Sequence, residues 1–236
     1  MLCFKYHPDI LSQFPQVVGG IILARGLRNG STPESLKSEY ISEQKDMLSR
    51  IADTPLSELE SLAAWRSVFR SFGVNPTKYR SAVEALLRRL TKKGDIPSIN
   101  ILVDACNLVS IRHQLPVAAF DAREITGPIT VRFSDGTERF TPLGVSEPES
   151  PDPGEVIFAD EMDLVVARRW CWRQSAESAA SVGTTNVIFT IESQHPDGRM
   201  DVEAALTDLD GLIQEYAGGG ERLSSILSMT QKSVAF

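Results

Sequence analysis

The stretch from Ser98 to His113, SINILVDACNLVSIRH, constrains the fold more than any other part of the chain. Read as a helix capped by Ser98 after Pro97, it places Ile99, Leu102, Val103, Cys106 and Val109 on one side and Ile101, Ala105 and Leu108 on the other. A helix apolar nearly all round is expected to be buried. Yet Asn100, Asp104 and Asn107 recur at i, i+4 and i+7, one above the other on a narrow face. Buried without partners, such groups would each cost about 1 to 3 kcal/mol or more. Either a closed hydrogen-bond network or the wall of a pocket satisfies them.

A Gly-Asp-Ile-Pro turn joins this helix to a preceding one in which Val83, Leu86, Leu87 and Leu90 keep helical spacing. Arg88, Arg89, Lys92 and Lys93 crowd its carboxyl end, where the helix dipole favours cations. Upstream, VVGGIILAR (17–25) reads as a buried strand, Thr32-Pro33 opens a polar helix to about Ile51, and a helix from Thr54-Pro55 or Ser57 runs to Phe72. Downstream, ITVRF (129–133) leads into Ser-Asp-Gly-Thr, whose Asp135-Gly136 pair predicts a two-residue hairpin returning near Glu138–Thr141. VIFAD, LVVAR and NVIFTIE read as further strands, separated from the first by a Pro-rich acidic loop at 146–154. A last helix is expected at 201–217, after which the Gly218–Gly220 run releases a mobile tail. This order predicts an α+β fold with helices packed on a mainly antiparallel sheet from residues 129–192. It also predicts one domain over 1–236, with an N-terminal strand and helices at 10–60 and a main body at 61–192.

At 236 residues and 42% apolar content, the chain can bury a sizeable core. No apolar run approaches the about 18 residues of a membrane span, and the amino terminus lacks a signal pattern, so a cytoplasmic protein is expected. Three cysteines and three histidines without paired spacing point to free thiols, no metal and no cofactor. His113 reads as a helix-end residue and Cys106 as an inert core thiol. The net charge of −7 opposes nucleic-acid binding, but its distribution does not. Residues 61–139 hold twelve Lys or Arg against seven Asp or Glu, and 140–163 hold seven acids and no base. A basic surface on an acidic body can contact phosphates, although solvated faces segregate in the same way.

The segment Arg168-Arg169-Trp170-Cys171-Trp172-Arg173 follows a strand directly. Interleaved Arg and Trp can pair a phosphate or carboxylate and stack on a base. If the strand continues, Arg169, Cys171 and Arg173 share one side and the tryptophans the other. Equally, the tryptophans can plug the core while the arginines pair with the acidic loop.

Taken together, Val103-Asp104-Ala105-Cys106-Asn107, Leu115-Pro116-Val117-Ala118-Ala119-Phe120-Asp121, Ala159-Asp160 and the strand ending in Glu192 resemble the B3/B4 domain of the phenylalanyl-tRNA synthetase beta subunit. The resemblance covers roughly residues 95–192. The N-terminal helices, Tyr79-Arg80-Ser81 and the Arg-Trp segment look like stand-alone relatives of that module. The resemblance implies a tRNA-binding protein that hydrolyses mischarged aminoacyl-tRNA in trans. Asn107 and Ser110 would then be polar positioners and Glu192 the selector of the side chain. Arg80, Arg169 and Arg173 would be phosphate or carboxylate partners, with Trp172 and Asp104 completing the substrate site and both Asp104 and Asn107 facing the cavity. Two departures stand out: the editing histidine aligns with Ala118, and the tyrosine-selecting acid aligns with Glu192 only if the last strand is two residues longer. A non-catalytic module binding a free amino acid, with Arg173 on the carboxylate and Asp104 or Glu192 on the amine, fits the same residues.

Overall fold

A computed structural model describes residues 1–218 and 220–236. The chain opens with strand β1 (Cys3–Tyr6) and a short helix α1 (Pro8–Gln13), both too short to carry a periodic signature. Strand β2 (Val18–Arg25) follows, then helix α2 (Glu34–Ile51), a 3₁₀ turn (Leu56–Glu58) and helix α3 (Glu60–Ser71). Helix α4 (Ala82–Lys93) is capped by the Ser81 hydroxyl and ended by Gly94 at φ 81°. Helix α5 (Ile101–His113) is the striped one, and strand β3 (Val117–Asp121) leaves it. Strands β4 (Ile129–Phe133), β5 (Val156–Ala159), β6 (Val165–Arg168), β7 (Arg173–Gln174) and β8 (Val187–Ser193) follow. Helix α6 (Gly198–Tyr216) and strands β9 (Glu221–Leu227) and β10 (Ser233–Ala235) complete the α+β fold.

Two sheets form where the sequence predicted one. A six-stranded sheet runs β10-β1-β4-β5-β6-β7 and a four-stranded sheet runs β3-β8-β2-β9. Every pairing between these strands is antiparallel except β1 with β4. The four-stranded sheet is the middle layer, and the side-chain alternation of β8 shows it. Val187, Phe189 and Ile191 join the core beneath α2, α4, α5 and α6, while Ile188 points into the core shared with the six-stranded sheet. Gly20 on β2 permits the close approach of α6, because a Cβ there would lie 2.8 Å from Val202 Cγ1. No helix among the described residues is long and apolar enough to cross a membrane.

Four expectations are corrected. Helix α5 starts after Asn100, whose side chain accepts from Val103 N at 3.1 Å, so Asn100 is the cap and not a stripe residue. The Asp135-Gly136 hairpin does not form, because β4 pairs with β1 and β5 instead. A local reason is that the buried Glu138 carboxylate gathers the Ser134 hydroxyl, the amides of Asp135 and Gly136 and the Arg132 guanidinium, folding the turn inward. The tail is ordered: β9 pairs with β2 over seven residue pairs, and β10 pairs with β1. Gly219, part of the glycine run, lies outside the described residues. Finally, strand β6 does not continue in alternation through the Arg-Trp segment, since Arg169 (φ 45°) and Trp170 (φ 63°) turn the chain sharply between β6 and β7.

Candidate functional site

A cavity of about 410 Å³ opens between α4, α5, the edge strand β3 and the β6–β7 turn. Its walls are mostly apolar, with Leu86, Val103, Cys106, Phe120 and Phe158 among them. Polar groups enter at few points, as is usual where a small set of contacts must orient a ligand. From one side Asn107 projects from α5, and from the opposite sheet come Thr190 and Glu192, which share a face of β8 as i and i+2 residues.

Glu192 is the unusual group, buried to 2% exposure. The Tyr6 hydroxyl donates to its Oε1 at 2.5 Å and the Trp170 indole N–H donates to the same oxygen at 3.0 Å. No hydrogen bond from the described residues reaches Oε2, so a proton carried by this carboxyl sits there, away from the two donors. Burial pushes the carboxyl up to about 7, against the downward pull of Tyr6 and Trp170. Burial and the neighbouring carboxylate in turn push the Tyr6 phenol well above its ordinary value, which keeps it a donor. Gly19 faces Glu192 across the β2–β8 pairing, and a Cβ there would collide with the Tyr6 ring and hydroxyl. The glycine therefore creates the space through which Tyr6 reaches Glu192.

The polar stripe divides. Asp104 is fully buried and does not line the cavity. Its carboxylate accepts from Thr32 Oγ1 at 2.5 Å, from Ile99 N at 2.8 Å and from the Ser98 hydroxyl. It therefore closes the amino end of α5, where the helix dipole favours an anion. Asn107, one turn on, shares its face with Val103 and Cys106 and does line the cavity. The network reading thus holds for Asp104 and the pocket-wall reading for Asn107. Ser110 is also buried outside the lining, with its hydroxyl donating to Leu115 O at 2.6 Å to finish the helix.

The Arg-Trp segment divides in the same way. Arg168 makes a two-pronged pair with Glu155 (2.7 and 2.9 Å), and Arg169 reaches Asp152 at 2.9 Å, so both bind the acidic loop. Trp170 fills the core against Phe14 and Trp65, with centroids at 5.0 and 5.4 Å. Trp172 and Arg173 stand at the cavity rim, and Arg173 pairs with no carboxylate among the described residues. Arg80 lies outside the lining, 3.7 Å from Glu84. Arg89 completes the rim from α4. Ala118, across from Thr190 on β3, occupies the wall with a methyl group.

The cavity therefore gathers Asn107, Trp172, Arg173 and Glu192 from the residues expected in the site, and leaves Arg80, Asp104, Ser110 and Arg169 outside. Thr190 and Arg89 join without having been expected, and Tyr6 backs Glu192 from outside the lining. Tyr6 lies 186 residues from its partner, and no local pattern announces such a contact. Cys106 and Cys171 also line the cavity, but burial pushes both thiols up, so neither is a ready nucleophile. Elsewhere, Ser193, His195 and Asp201 form a chain, with Oγ to Nδ1 at 3.0 Å and Nε2 to Oδ2 at 2.7 Å. Ser193 is fully buried and Gly198 packs onto its hydroxyl, so no substrate reaches that oxygen.

The model of the B3/4 domain family matches residues 64–217. The chain is 32% identical over 94 residues to the phenylalanine-tRNA ligase beta subunit of Shewanella oneidensis, a match covering 40% of this chain and 12% of that protein. It is 33% identical over 112 residues to the phenylalanine-tRNA ligase beta subunit of Corynebacterium jeikeium, covering 48% of this chain and 12% of that protein. Both matches span a small fraction of the relative's length. Among solved structures, an N-terminal fragment of the phenylalanyl-tRNA synthetase beta subunit from Pyrococcus horikoshii aligns with a TM-score of 0.48 and 14% identity. That alignment covers 95% of this chain and 54% of the fragment.

Proposed function

The chain belongs to the B3/4 domain family, and on that premise we propose that its cavity receives the aminoacyl 3′ end of a tRNA and hydrolyses a mischarged ester in trans. The observation that carries this reading is the Glu192 carboxyl, buried at the end of an apolar cavity with Oε1 saturated and Oε2 without a protein donor. A carboxyl held near 7 can accept from, or donate to, a hydroxyl on the amino-acid side chain. An apolar side chain of similar shape leaves that group unpaired, and sites built this way discriminate strongly. The related subunits belong to ligases that join phenylalanine to tRNA, which makes tyrosine the natural competitor to reject.

The chemistry needs no protein nucleophile. Water attacks the ester carbonyl carbon, the carbonyl oxygen takes up the negative charge, and the bond to the ribose oxygen breaks as that oxygen gains the proton lost by water. The Asn107 amide is the donor assigned to the developing oxyanion. Ala118 stands where the resemblance places a histidine, so the reaction is slow in this chain. Losing one transition-state donor costs about 2.7 to 4 kcal/mol, or 10² to 10³ in rate. Deacylation of tyrosyl-tRNA should therefore be weak, fall further in Asn107→Ala and rise in Ala118→His. Fast hydrolysis indifferent to Asn107→Ala would place the chemistry elsewhere.

A second reading rests on Arg173, which stands exposed at the rim with no carboxylate partner among the described residues, while Glu192 lies deep in the same cavity. A free amino acid would present its carboxylate to Arg173 and its polar side chain or amine to Glu192. Saturable amino-acid binding abolished by Arg173→Ala, with no deacylation by the natural protein or Ala118→His, would favour it.

A further inference from the structure

Trp172 is the one tryptophan of the three that is not fully buried, packing against the edge of the core while reaching the cavity rim. Trp65 and Trp170 are fully buried, whereas Trp172 is half-buried at the cavity rim. It belongs to a layered group. The Arg169 guanidinium lies 3.9 Å from the Tyr79 ring centroid and 4.6 Å from that of Trp172, and the Arg173 guanidinium lies 4.7 Å from Trp172. Tyr79 meets Trp172 edge-on at 4.9 Å and 80°. Two features hold the group in place: Arg169 is anchored to Asp152 from below, and the left-handed turn at Arg169 and Trp170 is fixed by the burial of Trp170. Arg173 is the outermost member and the exposed one.

Cations continue outward from the other lip. On α4, Ala82, Ala85, Leu86 and Arg89 face the cavity, and Lys92 and Lys93 follow Arg89 by three and four residues on the same side of the helix, both exposed. The rise from Arg89 to Lys93 is about 6 Å. Arg89 meets the Asp95 carboxylate at 3.6 Å and its Nε donates to Asp95 O at 3.1 Å, but the two side chains are 46% and 66% exposed, so the ion pair itself is weak.

We infer that the Trp172–Arg173 end of this group is a stacking platform for the last nucleobase of a single-stranded RNA 3′ end, with Arg89, Lys92 and Lys93 meeting the backbone phosphates on its 5′ side. Aromatic and guanidinium planes accept any base face, and such stacking is tolerant of sequence. A duplex end does not fit, because the base must leave its neighbours to lie on the rim while its ribose turns into the cavity. The inference rests on the tRNA reading above and adds which part of the RNA is read and by which side chains.

The test uses the full chain and a single-stranded RNA trinucleotide without an amino acid, carrying either a 3′ adenine or an abasic 3′ residue, followed by calorimetric titration. The abasic residue should weaken binding to the natural protein about 5- to 150-fold, and should change nothing in Trp172→Ala. Trp172→Phe should recover most of the difference, which a merely structural role would not give. Equal losses in the natural protein and Trp172→Ala, or equally tight binding of a blunt duplex, would overturn the platform. Deacylation of tyrosyl-tRNA measured in parallel separates the two readings. Base-dependent trinucleotide binding without deacylation keeps the platform and removes the hydrolase. Deacylation whose KM is unmoved by Trp172→Ala removes the platform alone.

Discussion

Burial shifts Glu192 toward its protonated form, and that has a thermodynamic signature. Its folded value near 7 lies above the ordinary 4.5, so the folded protein binds the proton more tightly than the unfolded chain. Stability from this group is fully present below about pH 4.5 and declines until the pH passes about 7, a total of about 3 kcal/mol. Glutamine keeps an acceptor for Tyr6 and Trp170 and carries no charge. The Glu192→Gln protein should therefore match the natural one near pH 4.5 and exceed its stability above pH 7, as read by urea unfolding across that range. A difference constant with pH would mean that the carboxyl is not desolvated. Gly19 gives a second residue-scale expectation: Gly19→Ala displaces Tyr6 from Glu192 and should lower the melting temperature sharply, because one methyl group must enter occupied space.

At the scale of elements, α5 shows what its sequence could and could not tell. The unbroken apolar pattern made burial legible, and the three polar residues made satisfaction of their hydrogen bonds a necessity. Asn100 and Asp104 found partners partly in their own neighbourhood, at Val103 N, Ser98 and Ile99 N, but Thr32 and the cavity, which decided the rest, are not near in sequence. Asp104→Ala leaves the Thr32 and Ser98 hydroxyls and the Ile99 amide without their acceptor. It should cost about 3 kcal/mol or more in unfolding free energy while sparing ligand affinity, whereas Asn107→Ala should do the reverse. The β6–β7 turn carries the same lesson. Its composition flagged recognition chemistry, but alternation failed there because Arg169 and Trp170 adopt left-handed backbone, a choice made by the acidic loop and the aromatic core. The Asp135-Gly136 pair misled for a related reason: Gly136 takes a positive φ of 90° but Asp135 does not, and the partners of β4 are β1 and β5. On α4, charge reversal at Arg88 and Arg89 should weaken RNA binding whatever the sequence. It should also flatten the dependence of log affinity on log salt by about 0.7 per lost contact.

Across the whole molecule, the site is assembled from remote parts. Tyr6 comes from the first strand, Glu192 from the eighth, Asn107 from α5 and the rim from the β6–β7 turn. Helices α2 to α6 and the strands β2, β4, β5, β6 and β8 were legible because periodicity is local, whereas α1 and the short or terminal strands β1, β3, β7, β9 and β10 were not. The division into two sheets was not, because pairing across the chain leaves no such trace. The terminal strands matter for the same reason, since β10 pairs with the strand that carries Tyr6 and β9 with the strand that carries Gly19. Removing the chain after Tyr216 should expose both strands and destabilise the site together with the fold.

The most direct measurement is the ratio of deacylation rates for tyrosyl-tRNA and phenylalanyl-tRNA, compared between the natural protein and Glu192→Ala at neutral pH. A cavity whose floor is a carboxyl with an open Oε2 should favour the tyrosyl ester, and the ratio should collapse toward unity in Glu192→Ala. An unchanged ratio in the variant, or a natural protein that hydrolyses both esters alike, would contradict the assignment of Glu192 as the side-chain selector.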